Sequence, residues 1–369
     1  MTTSGWPCAL YLETGHLFLG RGFGARTSQG GEIIFNTGMT GYQEIFSDPS
    51  YCDQIVVMTY PHIGNTGVNL DDFESKRLDL KGVVVRDYSE APSSWRATRS
   101  LGALLEEAKV PGITGVDTRR ITFLVREGGA QRAVLFPVEN EKDIHPQASS
   151  LLRAIAPMEG RELVSRVSTP RVYEYPLEGT SEIGKRLVVY DFGVKVNTLR
   201  ELRRRGFQVW VVPYNTPASE VMQLKPSGVV LSNGPGDPAE VKGSVEEIGR
   251  LVGRVPILAI CMGHQLLARA LGAKTYKLKF GHHGVNHPVK DLVENQILIT
   301  SQNHGFSVSA ESLTGDDITL SHVSANDNTL EGFLSQKMRL YSVQFHPEAS
   351  PGPSDAKNIF DRFLRGFVQ

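Results

Sequence analysis

Apolar and polar positions follow two different rhythms along the chain. Over residues 8–87, short apolar runs such as GEIIFN and QIVVMTYP are separated by glycine, asparagine and proline. A period near two and many β-branched residues predict strands in this part of the chain. Helical spacing predicts two helices, over 100–108 and 118–127, the second with Asp117 as its N-cap. The first part of the chain is therefore predicted to be β-rich with a few helices.

From Lys185 onward, short apolar runs alternate with helical stretches. The runs RLVVYDFG, FQVWVVPY, GVVLSNGPGDP and PILAI are separated by NTLRELRRRG, SEVMQLK and VEEIGRLVG, and HQLLARALG follows the last of them. Such alternation is typical of right-handed βαβ units in a parallel sheet, whose ligands bind at the carboxyl ends of the strands. Shorter β-like runs (QILITS, ITLSHVS, RLYSVQF) and an amphipathic helix near 355–367 complete the pattern.

The two rhythms predict two domains and a linker. Over residues 139–184 the apolar pattern weakens and charged residues, proline and serine dominate, and a length of 369 residues fits two domains. We expect a β-rich N-terminal domain over 1–145 that contacts a partner, a linker over 146–185, and an α/β domain over 186–369. The fold class is thus α/β, with a doubly wound, mostly parallel sheet flanked by helices in the second domain.

Charge and cysteine content exclude some classes of function. Lys and Arg number 39 against 40 Asp and Glu, so no bulk positive field attracts nucleic acid or an anionic membrane. The three cysteines, Cys8, Cys52 and Cys261, form no CxxC pair, which argues against a zinc site or a disulfide framework. No secretory signal or membrane-length apolar run is visible, and we expect a cytoplasmic protein in a reducing compartment.

Cys261 lies where an apolar strand run ends and a helix begins, in PILAICMGHQ. This layout is that of a nucleophile elbow, in which helix N–H groups stabilise a thiolate and the N–H of Met262 faces a developing oxyanion. The alternative is a buried core cysteine at the end of a strand.

His346 and Glu348 follow another apolar run, in QFHPE. Residues i and i+2 of an extended segment face the same side, so the carboxylate can orient the imidazole and the imidazole can deprotonate Cys261. The alternative is a surface His–Glu pair.

A third motif, SNGPGDP, ends the run GVVL and places Gly234 and Gly236 where backbone can approach a ligand. The alternative interpretation of this motif is an ordinary turn.

The three motifs together resemble the class I (triad) glutamine amidotransferase family, in that family's order. The resemblance covers residues 186–369 and implies a flavodoxin-like domain in which Cys261 attacks the side-chain amide of glutamine and a glutamyl thioester is hydrolysed. It implies that His346 is the general base and acid, Glu348 the orienting carboxylate, and Met262 and Gly234 the oxyanion donors. Ala259 departs from the family, which usually has glycine two residues before the nucleophile.

Essentially the whole chain resembles the carbamoyl-phosphate synthase small-subunit family. The matching segments are FNTGMTGYQEI (35–45), DPSY (48–51), TYPHIGN (59–65), KFGHHG (279–284), NHPVK (286–290), QNHGF (302–306) and EASPGP (348–353). The resemblance implies a glutaminase subunit that passes ammonia to a large synthetase subunit. It also implies eight residues that contact L-glutamine: Ser50, Gly234, Gly236, Met262, Gln265, Asn303, Gly305 and Phe306.

The sequence predicts no cofactor on this chain. No GxxxxGK[ST] motif is present, so ATP, Mg and bicarbonate are expected on the large subunit, in a heterodimer or a higher oligomer of it. The histidines of GHHG and NHP could ligate zinc, but no cysteine or carboxylate spacing completes a tetrahedral set, and we expect no metal.

Three other functions remain open from the sequence. The chain could serve another synthetase or act as a stand-alone glutaminase. It could be a non-catalytic regulatory subunit that kept the fold, although Cys261, His346 and Glu348 are all present. A Cys–His peptidase-like hydrolase is also chemically possible.

Overall fold

The protein is described by a computed structural model that covers residues 5–176 and 184–368. Its internal contacts divide the chain into two units. One unit runs to Met158 and includes Lys279–His283, and the other consists of Glu159–Leu278 and Gly284–Gln369.

The first unit is built on strands, with four helices between and after them. Its strands are β1 (Pro7–Leu12), β2 (Leu17–Gly24), β3 (Gln29–Asn36), β4 (Gln54–Met58), β5 (His62–Ile63), β6 (Gly82–Val84), β7 (Asp87–Tyr88), β8 (Pro111–Thr114) and β9 (Gln131–Pro137). Its helices are α1 (Tyr42–Ser47), α2 (Leu101–Glu107), α3 (Thr118–Gly128) and α4 (Ile144–Arg153), with 3-10 turns at Pro49–Tyr51 and Glu141–Asp143.

Seven of these strands close into a barrel in the order β1-β2-β8-β6-β4-β3-β9. Ile33, Ile55 and Val57 belong to one buried cluster, whereas their neighbours Ile34 and Val56 belong to another that includes α1 and α2. Closure pairs every barrel strand on both sides, so the barrel has no unpaired edge. The predicted β-rich character of this part of the chain is confirmed.

Both helices predicted in the first unit form. The Asp117 side chain accepts a hydrogen bond from the backbone N–H of Arg120, as expected of an N-cap, and Ser100 caps α2 in the same way through Ala103.

The second unit alternates strands and helices. Its strands are β10 (Tyr173–Glu174), β11 (Arg186–Asp191), β12 (Gln208–Pro213), β13 (Gly228–Leu231), β14 (Ile257–Ile260), β15 (Thr275–Asp291), β16 (Gln296–Val308), β17 (Thr319–Ser324), β18 (Leu330–Ser335) and β19 (Leu340–Val343). Its helices are α5 (Val164–Val167), α6 (Val196–Arg204), α7 (Ala218–Gln223), α8 (Lys242–Leu251), α9 (Met262–Ala270) and α10 (Asn358–Phe367), with 3-10 turns at Pro238–Glu240, Ala310–Ser312 and Asp355–Lys357.

Five parallel strands in the order β12-β11-β13-β14-β19 form the centre of this unit's sheet. Numbered along the chain, that order is 2-1-3-4-5, the flavodoxin-like arrangement. The antiparallel strands β18, β17, β15 and β16 extend the sheet beyond β19. The predicted doubly wound, mostly parallel sheet is confirmed.

Helices cover both faces of this sheet. Val188 and Tyr190 pack into a cluster with α7, α8 and α9, whereas Leu187 and Val189 pack into another with α6 and α10. Successive strand residues point to opposite faces, so a strand buried on both sides must be apolar along its centre, as the LVVY segment of β11 is.

The predicted linker, 146–185, contains regular structure as far as Glu174. Helix α4 enters it from the first unit, and α5 and β10 belong to the second. Its residues 177–183 lie outside the described part of the chain. In the described ranges, no helix has the length and apolar character needed to cross a membrane.

We expect Phe363→Ala to destabilise the protein by about 3–5 kcal/mol, because removing a fully buried ring leaves a cavity where α10 meets the sheet. Urea unfolding measures the change. Phe123→Ala is the matched control: its ring is 53% exposed, so the loss should stay below about 1 kcal/mol. Equal losses in the two variants would contradict the packing described for α10.

Candidate functional site

Cys261 occupies a strained turn between β14 and α9. Its backbone has φ 52° and ψ −106°, a conformation that residues other than glycine rarely adopt and that is concentrated at functional sites. The turn is fixed on both sides: Cys261 N–H donates to the Val343 carbonyl at 2.9 Å, and Gln265 N–H donates to the Cys261 carbonyl at 3.1 Å. At Gly263 a Cβ would lie 2.3 Å from the Leu231 carbonyl oxygen, so only glycine fits.

The SNGPGDP loop lies directly beside this turn. Gly263 N–H donates to the Ser232 carbonyl at 2.9 Å, which ties the start of α9 to the end of β13. At Gly234 a Cβ would lie 2.2 Å from the Phe192 carbonyl oxygen. Glycine at position 234 is therefore a steric requirement of the fold.

Asn233 joins this loop to the loop that follows β11. Its Nδ2 donates to the Gly193 carbonyl at 2.9 Å, and its Oδ1 accepts from the Lys195 N–H at 3.3 Å. Gly236 has φ +90°, and a Cβ there would lie 2.7 Å from the Arg161 carbonyl oxygen. Both predicted glycines thus sit in a loop held between neighbouring segments of the second unit.

His346 and Glu348 form a fully buried pair just after β19. The imidazole Nδ1 and the carboxylate Oε1 are 2.7 Å apart, and neither side chain is more than 1% exposed. His346 N–H donates to the Ser301 carbonyl at 2.9 Å, which anchors this segment to β16. The alternative of a surface His–Glu pair is therefore wrong.

Sequence reasoning missed a second partner of Glu348. Lys195 is buried, its Nζ lies 3.3 Å from Glu348 Oε1, and it also donates to the Ala349 carbonyl. Asn197 Nδ2 donates to the Glu348 carbonyl at 2.6 Å. The sequence did offer one signal for Lys195, which is its position. The segment DFGVKVN comes at the end of β11, so it lies at the same carboxyl edge of the parallel sheet as the three motifs.

These contacts determine the charges of the pair. Burial opposes charge on both groups, but Lys195 and His346 hold the pKa of Glu348 down at about 2. Burial likewise lowers the pKa of His346, yet the charges of Glu348 and Cys261 and the hydrogen bond to Glu348 outweigh it and raise the value to about 10. The site therefore favours an imidazolium beside a carboxylate at neutral pH.

Cys261 lies near both His346 and Asn303. The charge of Cys261 helps to raise the pKa of His346, and His346 Nε2, the ring nitrogen that Glu348 does not use, is buried and has no hydrogen-bond partner in the described residues. The thiol donates to the Asn303 carbonyl at 3.6 Å. A thiol, an imidazole and an orienting carboxylate in this order can perform nucleophilic catalysis with general acid–base transfer.

The segment QNHGF lies inside strand β16. His304 uses both ring nitrogens within the segment, bonding the Phe306 carbonyl at 2.8 Å and the Gln302 side chain at 2.9 Å. The Phe306 carbonyl also accepts from Gln265 Nε2 at 2.8 Å, and Lys277 Nζ lies 5.2 Å from the centre of the Phe306 ring. A Cβ at Gly305 would meet no atom within 4 Å, so its backbone lies open on that side.

Ser50 belongs to the first unit, unlike the other predicted site residues. It is buried in the 3-10 turn Pro49–Tyr51, where its N–H donates to the Asp48 side chain at 2.9 Å. Met262 is the first residue of α9, where backbone N–H groups have no partner inside the helix.

Comparison with known proteins agrees with this geometry. Residues 188–365 match the family model "Glutamine amidotransferase class-I", which gives the class of the second unit. Residues 10–135 match the model "Carbamoyl-phosphate synthase small chain, CPSase domain".

Three curated relatives match nearly the whole chain. The carbamoyl phosphate synthase pyrimidine-specific small chain of Halalkalibacterium halodurans is 48% identical over 356 residues, covering 96% of each chain. That of Bacillus subtilis (strain 168) is 48% identical, covering 96% of this chain and 94% of the relative. The carbamoyl phosphate synthase small chain of Bacillus caldolyticus is 49% identical, covering 96% and 95%. The chain belongs to the carbamoyl phosphate synthase small-chain family.

We expect Glu348→Gln to lower the pKa of His346 from about 10, because burial opposes the charged ring and the carboxylate is the first of the groups that sustain it. In the parent protein the raised pKa of His346 stabilises the folded state. This stabilisation is fully present at pH values below about 6.5, the pKa of histidine in the unfolded chain, and it is lost as the pH rises through about 10. NMR titration of 15N-labelled histidine measures the shift. Glu240→Gln, a change at a partly exposed carboxylate, should leave it unchanged; an unaltered titration in Glu348→Gln would refute the pairing.

Proposed function

We propose that this chain hydrolyses L-glutamine to glutamate and ammonia and passes the ammonia to a large subunit that makes carbamoyl phosphate from bicarbonate and ATP. The observation that carries the proposal is the thiol of Cys261 in a strained strand–helix turn, next to an imidazole that a buried carboxylate orients. Membership of the small-chain family supports the identity of the product and of the partner.

In the proposed reaction the sulfur of Cys261 attacks the carbon of the glutamine side-chain amide. The thiol proton already resides on His346 Nε2, in keeping with the imidazolium that the site favours, so the sulfur attacks as a thiolate and the carbonyl π electrons move to the oxygen. When the tetrahedral intermediate collapses, the C–N bond breaks, His346 gives its proton to the leaving nitrogen and ammonia departs. His346, now neutral, deprotonates a water that attacks the thioester; the C–S bond breaks, glutamate leaves and the thiolate and imidazolium are restored.

The oxyanion of each tetrahedral intermediate requires fixed donors. We assign this role to the backbone N–H groups of Met262, at the start of α9, and of Gly234, in the loop beside it. The hydrogen bond from Gly263 to Ser232 supports the assignment because it holds the two segments together before substrate arrives.

Glutamine binding is assigned to eight residues. Gln265 and Ser50 have side chains that can hydrogen-bond an amino-acid head group, and glycine backbone can approach it closely. The proposed contacts are Ser50, Gly234, Gly236, Met262, Gln265, Asn303, Gly305 and Phe306.

The other substrates are assigned to the large subunit. ATP, Mg and bicarbonate would act there, in a heterodimer or a higher oligomer of it, and this chain would need no metal, nucleic acid or membrane. We place the complex in the cytoplasm.

We expect Cys261→Ser to abolish glutamine-dependent synthesis in the complex, by at least about 10³-fold, because the nucleophile is lost. Synthesis from added ammonia should persist, since that reaction needs no thiol. Carbamoyl phosphate formation from each nitrogen source measures both effects. Cys8→Ser, at a buried cysteine in β1, is the control and should retain both reactions. Full glutamine-dependent activity in Cys261→Ser would refute the assignment.

We also expect the large subunit, ATP and bicarbonate together to raise glutaminase turnover, because uncoupled hydrolysis would waste glutamine. An ammonia-consuming enzyme added to the complex should intercept only a minor part of the flux, since ammonia in bulk water would be protonated and lose its nucleophilicity. Glutaminase turnover that stays the same when the large subunit, ATP and bicarbonate are added would favour a stand-alone glutaminase. Interception of most of the ammonia flux would exclude a closed path between the subunits.

A further inference from the structure

The side chain of Gln265 is held in one orientation by two acceptors. It projects from the first turn of α9, four residues after Cys261, and is 2% exposed. Its Nε2 donates to the Phe306 carbonyl at 2.8 Å and to Gln344 Oε1 at 3.0 Å. An amide nitrogen carries two protons, so both are used within the protein.

This orientation determines what Gln265 offers to a ligand. With Nε2 occupied, the free polar atom is Oε1, to which no group in the described residues donates. A carbonyl oxygen accepts hydrogen bonds and therefore suits an ammonium group. The opposite orientation would present N–H groups, which suit a carboxylate and repel an ammonium.

Of the two acceptors, one is the backbone carbonyl of Phe306 and the other is the side chain of Gln344. The backbone of Gln344 is anchored. It is fully buried directly after β19, and its N–H donates to the Glu331 carbonyl at 2.8 Å. It lies two residues before His346 in the chain.

Gln344 also carries an energetic cost that its acceptor role explains. Its own Nε2 is buried and has no hydrogen-bond partner in the part of the chain that the structure describes. A buried unsatisfied donor destabilises a protein, and an apolar side chain of the same shape would avoid that cost. What an apolar side chain could not supply is the oxygen that Gln265 bonds.

We propose that Gln344 is a positioning residue that sets the polarity of substrate recognition: by accepting from Gln265 Nε2, it directs Gln265 Oε1 toward the α-ammonium group of glutamine. The inference rests on the proposed function and deepens it, because it makes Gln344 a determinant of specificity for an amino acid over the corresponding acid that lacks the α-amino group.

The test compares two substrates in the complete complex. One is L-glutamine, and the other is 4-carbamoylbutanoate, which has hydrogen in place of the α-ammonium group. In Gln344→Met, a change of nearly equal volume that removes the acceptor, KM for glutamine should rise about tenfold with kcat within about twofold. The value of kcat/KM for 4-carbamoylbutanoate should change less than about twofold, so discrimination between the substrates falls.

Two variants complete the design. Gln344→Glu keeps an oxygen acceptor and should retain most of the discrimination. Gln54→Leu removes another buried, hydrogen-bonded glutamine, in β4 of the first unit, and should leave it unchanged. Should Gln344→Met fail to fold, Gln344→Leu supplies the same comparison.

Equal losses for both substrates in Gln344→Met would show a merely structural role and overturn the inference. Unchanged discrimination would overturn it as well. Failure of the proposed function would look different, because the unmodified complex would then release no ammonia from glutamine.

Discussion

A buried carboxylate can stay charged only if opposite charge or hydrogen-bond donors surround it, and Glu348 imposes that constraint on the second unit. Lys195 lies 3.3 Å from Glu348 and His346 lies 2.7 Å from it, so one negative charge is shared between two cationic groups. Removing one partner of such a cluster leaves an uncompensated buried charge, which typically destabilises a protein by about 3–5 kcal/mol. The loops after β11 and β19 are therefore tied together electrostatically at the position where the imidazole must be aimed.

The parallel sheet brings the remaining parts to the same place. Lys195 follows β11, Gly234 follows β13, Cys261 follows β14 and His346 follows β19, and these four strands are neighbours in the sheet. Their carboxyl ends lie at one edge, so residues far apart in the chain meet without a dedicated element for each. The strained backbone at Cys261 is tolerated because close packing of Gly263 on β13 and hydrogen bonds to Val343 and Gln265 hold it.

Sequence reasoning succeeded where the chemistry was local. Cys261 sits at a strand–helix junction, and His346 and Glu348 are two residues apart, so each signal lay within a few residues. The alternation of strands and helices likewise identified the sheet. Lys195 and Gln344 gave no such signal, because their roles come from contacts with Glu348 and Gln265, more than 75 residues away.

Three buried histidines of the second unit show how partners, rather than burial, decide where acid–base chemistry can occur. Burial lowers the pKa of His264 to about 3 and that of His322 to about 4, so both rings are neutral near pH 7. His322 has a carboxylate, Asp291, at 3.9 Å, but Arg362 binds that carboxylate at 2.6 Å and opposes the charging of the ring. Glu348 lies much closer to His346, and the negative charge of Cys261 adds to its effect. Only this ring of the three, at the edge where the four loops meet, is held in the protonated form that a leaving amine would need.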